Sequence, residues 1–169
     1  VIGERTVMMR RFLLLATMLV MPSLARAQDL GIQVGAKAPT AALETLDGKP
    51  AELGTYLGQK VVVLEFWATW CSSCKALEPK LRAALAKHGN DVAFVGVAVS
   101  VNQSQALVQR YAERHKLPGT VLYDRKGYAS DAYEVPATSY IVVVGKDGLV
   151  KYTGVGGDQD IEAAIRKAL

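Results

Sequence analysis

Residues 61–79 read V-V-V-L-E-F-W-A-T-W-C-S-S-C-K-A-L-E-P and hold Cys71 and Cys74, the two cysteines of the 169-residue chain. Val61 to Trp67 is an apolar run of β-branched and aromatic residues, which predicts a buried strand, and a helical pattern begins within a few residues of its end. The cysteines therefore fall where a strand hands over to a helix. Unpaired N–H groups of the first helical turn and the positive end of the helix dipole favour a thiolate there, so Cys71 is placed to be acidic and nucleophilic. Cys74 follows within the first turns, on the same side.

A structural disulfide is one alternative. The chain-entropy relation gives roughly 2 kcal/mol for a loop of about four residues against about 3 for about fifteen, so the pair makes a poor staple. Half of a zinc site is another, and it needs two further N or S ligands. His88 and His115 are too far apart in sequence for the usual close histidine pair. Redox chemistry is the reading the spacing favours.

The string E-F-W-A-T-W-C-S-S-C-K, with Pro79 five residues after Cys74, resembles the active site of the thioredoxin superfamily. Its F-W-A-T-W-C wording is most similar to the extracytoplasmic TlpA and ResA type, over about Val34 to the C-terminus. The resemblance implies an α/β thioredoxin-like fold, a central mixed sheet with helices on both faces and an N-terminal β-hairpin extension. It also implies a thiol:disulfide oxidoreductase that needs neither organic cofactor nor metal.

Upstream, Arg10 and Arg11 precede the apolar run Phe12 to Met21, and Ala25-Arg26-Ala27 offers a small-x-small cleavage site. These features predict a secretory signal over 1–27, with 1–7 read as upstream of the true start at Met8 or Met9. An uncleaved membrane anchor is the alternative. The thioredoxin-like domain is then expected over 28–169, and removing Arg5, Arg10, Arg11, Arg26 and Glu4 takes the formal net charge from +4 to +1. No nucleic-acid partner is implied by that balance. Export, to a periplasm or cell envelope, places the pair among oxidising conditions.

In chain order, Ala41 to Leu46 before Asp47-Gly48 predicts a strand and hairpin turn, and Ala51 to Leu57 the return with a short helical turn. The active-site helix is expected over about Cys71 to His88, with Leu77, Leu81, Ala84 and Leu85 as its apolar face. Val92 to Val99 reads as a buried strand. Ser104 to Lys116 reads as a helix with Ala106, Leu107, Val108 and Tyr111 inward. A strand at Thr120 to Tyr123 and a hairpin of Ile141 to Val144 with Leu149 to Thr153 follow. A final helix is expected to be capped from Asp158. The sheet is expected to have four or five strands.

Outside the cysteines, Glu65 is an acid within an apolar strand, where burial raises its pKa. By resemblance to thioredoxin it accepts the proton of Cys74; as an anion it would push the pair towards the reducing end. The alternative is a carboxylate turned to a polar pocket with no role. Also by resemblance, Val135 and Pro136 take the place of the family's Val/Ile-Pro pair, which has a cis bond and packs beside the cysteines. An ordinary strand-start proline is the alternative. Trp70 is read as an apolar docking surface for substrate, Phe66 and Trp67 as core, Lys75 as solvent-facing and Glu78 as an exposed helix residue.

Together these residues predict an exported dithiol oxidoreductase acting on protein disulfides, such as those of apocytochromes c, and fed by a membrane electron-donor protein. A disulfide-forming oxidant on the same scaffold is the first alternative. A non-enzymatic copper or redox-binding module is the second, although such sites favour C-x(3)-C. Peroxide reduction wants P-x(3)-T-x(2)-C, and here Leu64 occupies the proline's place while Thr69 lies only two residues before Cys71.

Overall fold

The computed structural model describes residues 30–169. The expected leader over 1–27 and the expected mature start at Gln28 lie outside the described residues. In chain order the elements are β1 (Ala42–Thr45), β2 (Pro50–Glu52), a 3-10 turn (Leu53–Tyr56), β3 (Val61–Trp67), α1 (Ser72–His88), β4 (Val92–Val99), α2 (Gln105–His115), β5 (Thr120–Asp124), α3 (Tyr128–Ala132), β6 (Tyr140–Val144), β7 (Val150–Val155) and α4 (Ile161–Arg166).

The strands form one mixed sheet in the order β2-β1-β5-β4-β3-β6-β7. β3, β4 and β5 run parallel, as strands joined by the helical crossovers α1 and α2 must. β6 and β7 add antiparallel at one side. Among the described residues the sheet has seven strands rather than four or five, because the N-terminal hairpin does not stand apart. Its β1 pairs antiparallel with β5, Glu44 opposite Tyr123 and Thr45 opposite Leu122, and so extends the same sheet.

β3 lies between β4 and β6 and is buried on both faces, which is why it reads as a continuous apolar run rather than an alternating one. Its period of two sends Val61 and Val63 to one face and Val62, Leu64 and Phe66 to the other. The first face packs against Leu77, Leu81 and Ala84 of α1 and Ile161, Ala164 and Ile165 of α4. The second packs against Val108 of α2 and Ala129 of α3, with Tyr133 just beyond it. Glu65, on the odd-numbered face, is thereby aimed at α1.

In α2 the buried residues are Val108 and Ala112, while Ala106 is exposed and Leu107 is 39% exposed, contrary to expectation. Three successive apolar residues span about 200° of a helix at 100° per residue, so one face cannot take them all. The pair at i and i+4 is the one that does. The cap of α4 is Asp160, whose Oδ1 accepts the N–H of Ala163 at 2.9 Å; Asp158 stays exposed.

Candidate active site

The four residues Ala68 to Cys71 carry the chain from the end of β3 to the start of α1. Cys71 is the N-cap of α1: its backbone is extended, and its Sγ accepts the N–H of Cys74 at 3.0 Å, taking up one of the orphan donors of the first turn. The same contact stabilises negative charge on that sulfur once the disulfide opens. Cys71 and Cys74 are joined, with S–S 2.10 Å and Cα–Cα 5.3 Å. Both are buried, at 5% and 7% exposure, whereas the adjacent Trp70 stands out at 48%. The Trp70 indole N–H donates to the Val101 carbonyl at 2.9 Å. Lys75 is exposed, 6.0 Å from the Tyr111 ring.

Below the pair lies a cavity of ≈30 Å³ whose lining includes Glu65, Trp67, Cys74, Lys75, Glu78 and Tyr111. One carboxylate oxygen of Glu65, Oε1, is buried there without a protein partner. Burial, and secondarily the negative charge of Glu78, raise the Glu65 pKa from 4.5 to about 8. At neutral pH the acid is therefore mostly protonated. Its repulsion of a thiolate, expected to favour the reducing end, comes into play only as pH rises through about 8.

Glu78 is not the exposed helix residue expected. Its carboxylate, 21% exposed, pairs with Arg82 Nη2 at 2.5 Å and Nε at 2.9 Å. Arg82 Nη2 also donates to the His115 carbonyl at 2.5 Å, tying α1 to the end of α2. Gly96, the neighbour of Glu65 on β4, leaves room for an indole: a Cβ there would lie 3.0 Å from Trp67 Nε1.

The Val135–Pro136 bond is trans, and no described peptide bond is cis. Val135 is half-buried against the core and Pro136 is exposed. The expectation of a cis bond at Pro136 is thereby corrected: a bend over 137–139 stands between Pro136 and the start of β6, so this proline is not the residue that enters the strand. The residue directly before β6 is Ser139. Extending the register in which Phe66 faces Tyr140 by one residue sets Ser139 opposite Trp67, at the cysteine end of the sheet. Ser139 is fully buried with φ 63°, and its carbonyl accepts from Gly156 N at 3.0 Å and Gln159 Nε2 at 3.1 Å. The next glycine, Gly157, packs on the first turn of α1 between the cysteines, where a Cβ would lie 2.9 Å from the Ser73 carbonyl oxygen.

Gln103, in the loop between β4 and α2, is buried although polar. Its Oε1 accepts the N–H of Thr69 at 2.8 Å, its Nε2 donates to the Val99 carbonyl at 2.5 Å, and its own carbonyl accepts from the Tyr123 hydroxyl at 3.0 Å. Sequence reasoning named the cysteines, Glu65 and Trp70 and missed Gln103, Glu78 and Ser139. For Gln103 the one signal was a polar residue with no period of its own, 34 positions from its partner.

The Redoxin family model matches residues 33–169. Among curated relatives, the thioredoxin-like protein YneN of Bacillus subtilis is 32% identical over 130 residues, covering 76% of this chain and 75% of that one. The thiol-disulfide oxidoreductase ResA of Geobacillus kaustophilus is 33% identical over 140 residues, covering 80% and 78%. Among solved structures, a chain described as a thiol:disulfide interchange protein DsbE from Chlorobium tepidum superposes with TM-score 0.72 at 26% identity, covering 81% of this chain and 98% of that one. A secreted Mycobacterium tuberculosis disulfide oxidoreductase homologous to E. coli DsbE superposes with TM-score 0.63 at 28% identity, covering 76% and 94%. With its cysteine pair at a strand-to-helix junction, the chain belongs to the Redoxin family of the thioredoxin superfamily and is a ResA-like thiol:disulfide oxidoreductase.

Proposed function

We propose that the enzyme is exported and reduces protein disulfides in the cell envelope, with Cys71 as the attacking thiol and Cys74 as the resolving one. The observation that carries the assignment is the Cys71 sulfur at the N-cap of α1, accepting the Cys74 N–H. In the reduced enzyme the Cys71 thiolate attacks one sulfur of a substrate disulfide and expels the other as a thiolate. Cys74 gives its proton to the Glu65 carboxylate and attacks Cys71 Sγ, which restores the Cys71–Cys74 disulfide and releases the second substrate thiolate. Two electrons pass to the substrate. A membrane dithiol donor then returns two electrons and two protons to the pair.

A pKa of about 8 suits Glu65 to this task, because a base works best on an acid of similar strength and a free thiol titrates at about 8.5. Trp70 offers an exposed apolar ring beside Cys71 for docking an unfolded thiol protein, and Val135 and Pro136 extend that surface by resemblance. Apocytochromes c are the substrate class that the likeness to ResA suggests. Similarity to a secreted oxidoreductase, and the signal-like segment over 1–27, support export with a domain over 28–169.

Redox equilibration against glutathione tests the direction. A potential near the thioredoxin value of about −270 mV is expected, and one near about −120 mV makes the protein a disulfide-forming oxidant instead. Mixed-disulfide trapping with Cys74→Ser in envelope extracts identifies the substrates. Mass spectrometry of the processed chain, together with fractionation, decides between a cleaved leader and an anchor.

A further inference from the structure

The chain between β3 and α1 is short and sits at the edge of the fold, yet chemistry requires it to hold Cys71 in one orientation. In-line attack of one sulfur on another is sensitive to small displacements of the nucleophile. Within Ala68 to Cys71, the Cys71 N–H donates to the Ala68 carbonyl at 3.1 Å, which closes the turn on itself. The Thr69 N–H and the Trp70 indole N–H instead reach outward, both to the loop that follows β4.

We propose that Gln103 is a positioning residue for disulfide exchange: its carboxamide clamps the Thr69 backbone to the end of β4 and thereby sets how Trp70 and Cys71 meet a substrate. The side chain is suited to this by having an acceptor and a donor on one rigid plane. Oε1 takes the Thr69 N–H while Nε2 gives to the Val99 carbonyl, so the active-site turn is referred to the last residue of a central strand. A hydroxyl is too short for both, and an ionised carboxylate accepts without donating.

The loop that carries Gln103 is itself fixed. Asn102 adopts φ 54°, which turns the chain back on itself, and the Tyr123 hydroxyl holds the Gln103 carbonyl from β5. Ser104 then caps α2 through the Leu107 N–H at 3.3 Å. The Val101 carbonyl, between Val99 and Gln103, receives the Trp70 indole N–H, so the exposed ring next to Cys71 in sequence is held by the same loop. Losing the carboxamide would leave a half-buried Thr69 N–H unpaired and the turn free to shift.

The test compares Gln103→Leu, which removes both bonds, with Gln103→Glu, which keeps the acceptor for Thr69. In Gln103→Leu, kcat/KM for insulin reduction is expected to fall about tenfold, and the thiolate absorbance of Cys71 to titrate at higher pH. Gln103→Glu, which holds the Thr69 N–H but loses the donor to Val99, is expected to lose thermal stability and to lie between Gln103→Leu and wild type in both readouts. Equal loss of reactivity in the two variants, in step with their fall in Tm, would overturn the proposal, as would unchanged reactivity and Cys71 titration in Gln103→Leu.

Hydrogen exchange on the wild-type enzyme serves if Gln103→Leu does not fold. The Thr69 amide is expected to exchange slowly in both oxidised and reduced forms, and rapid exchange in either sinks the clamp. The inference rests on Cys71 as the attacking thiol. Alkylation that labels Cys74 first would refute that assignment, while Thr69 exchange would still report on the clamp.

Discussion

Glu65 of β3 and Cys74 of α1 line the same ≈30 Å³ cavity, one from the sheet and one from the first turn of the helix, and Glu65 Oε1 has no protein partner there. In the proposed mechanism a buried acid beside Cys74 would give the second half of the exchange its own proton acceptor. Glu65→Gln is therefore expected to slow resolution of a preformed mixed disulfide by about a hundredfold while sparing its formation. In the wild type that step should accelerate as pH rises through about 8, because the carboxylate is the accepting form. Single-turnover kinetics of an enzyme–substrate mixed disulfide will show whether the pH dependence disappears with the carboxyl group.

The same group leaves a mark on stability. A carboxyl that titrates near 4.5 in the unfolded chain and at about 8 in the folded one binds more protons when folded throughout that interval. Native stability therefore falls as pH rises from about 4.5 to about 8, by an amount on the order of a few kcal/mol. Denaturant unfolding of the oxidised protein at pH 5 and pH 8.5 should show Glu65→Gln gaining on the wild type at the higher pH. A constant difference between them would contradict the assigned shift.

Trp70 combines an exposed ring with a single polar anchor at Val101. If it docks polypeptide rather than shaping the cysteines, Trp70→Ala should raise KM for a protein disulfide about tenfold and leave reduction of a small aromatic disulfide nearly unchanged. Parallel loss on both substrates would assign the residue to the geometry of Cys71 instead.

Gly157 packs where no side chain fits. An alanine Cβ would lie 2.9 Å from the Ser73 carbonyl oxygen and 2.9 Å from Ala76 Cβ, both on or next to the backbone of α1 and unable to yield as a flexible side chain would. Gly157→Ala is expected to cost about 1–3 kcal/mol and to shift the Cys71 thiolate titration, since Ser73 lies between the cysteines. Thermal melting and thiolate absorbance measure the two effects separately.

Local pattern carried the sequence far where one residue's environment is set by its neighbours. The run Val61 to Trp67 and the run Val92 to Val99 became β3 and β4 without adjustment, and the cysteines fell at the helix start as the strand-to-helix change required. It failed where pairing across the fold decides. Nothing near Gln103 in sequence shows that Thr69 needs an acceptor. Likewise Val135-Pro136 resembled the family's Val/Ile-Pro pair, while the bend over 137–139 delivered Ser139 to the start of β6. Glu78 looked like a solvated helix residue, paired at most with Arg82 four positions on, because the cavity beneath it is visible only once α1 lies on β3.

The pairing of the N-terminal hairpin with β5 also bears on self-association. Without β1, β5 would end the sheet with a ladder of unpaired backbone groups, a template for another extended chain. With it, the outermost strand on that side is β2, three residues long and begun by Pro50, which has no N–H to offer. At the opposite side the N–H and carbonyl of Val150, where β7 begins, are already taken by Ala36 and Gly35. A thiol:disulfide oxidoreductase that meets polypeptides at its cysteines is thus poorly suited to add them to its sheet beside β2 or at the start of β7, which limits β-strand capture at those places.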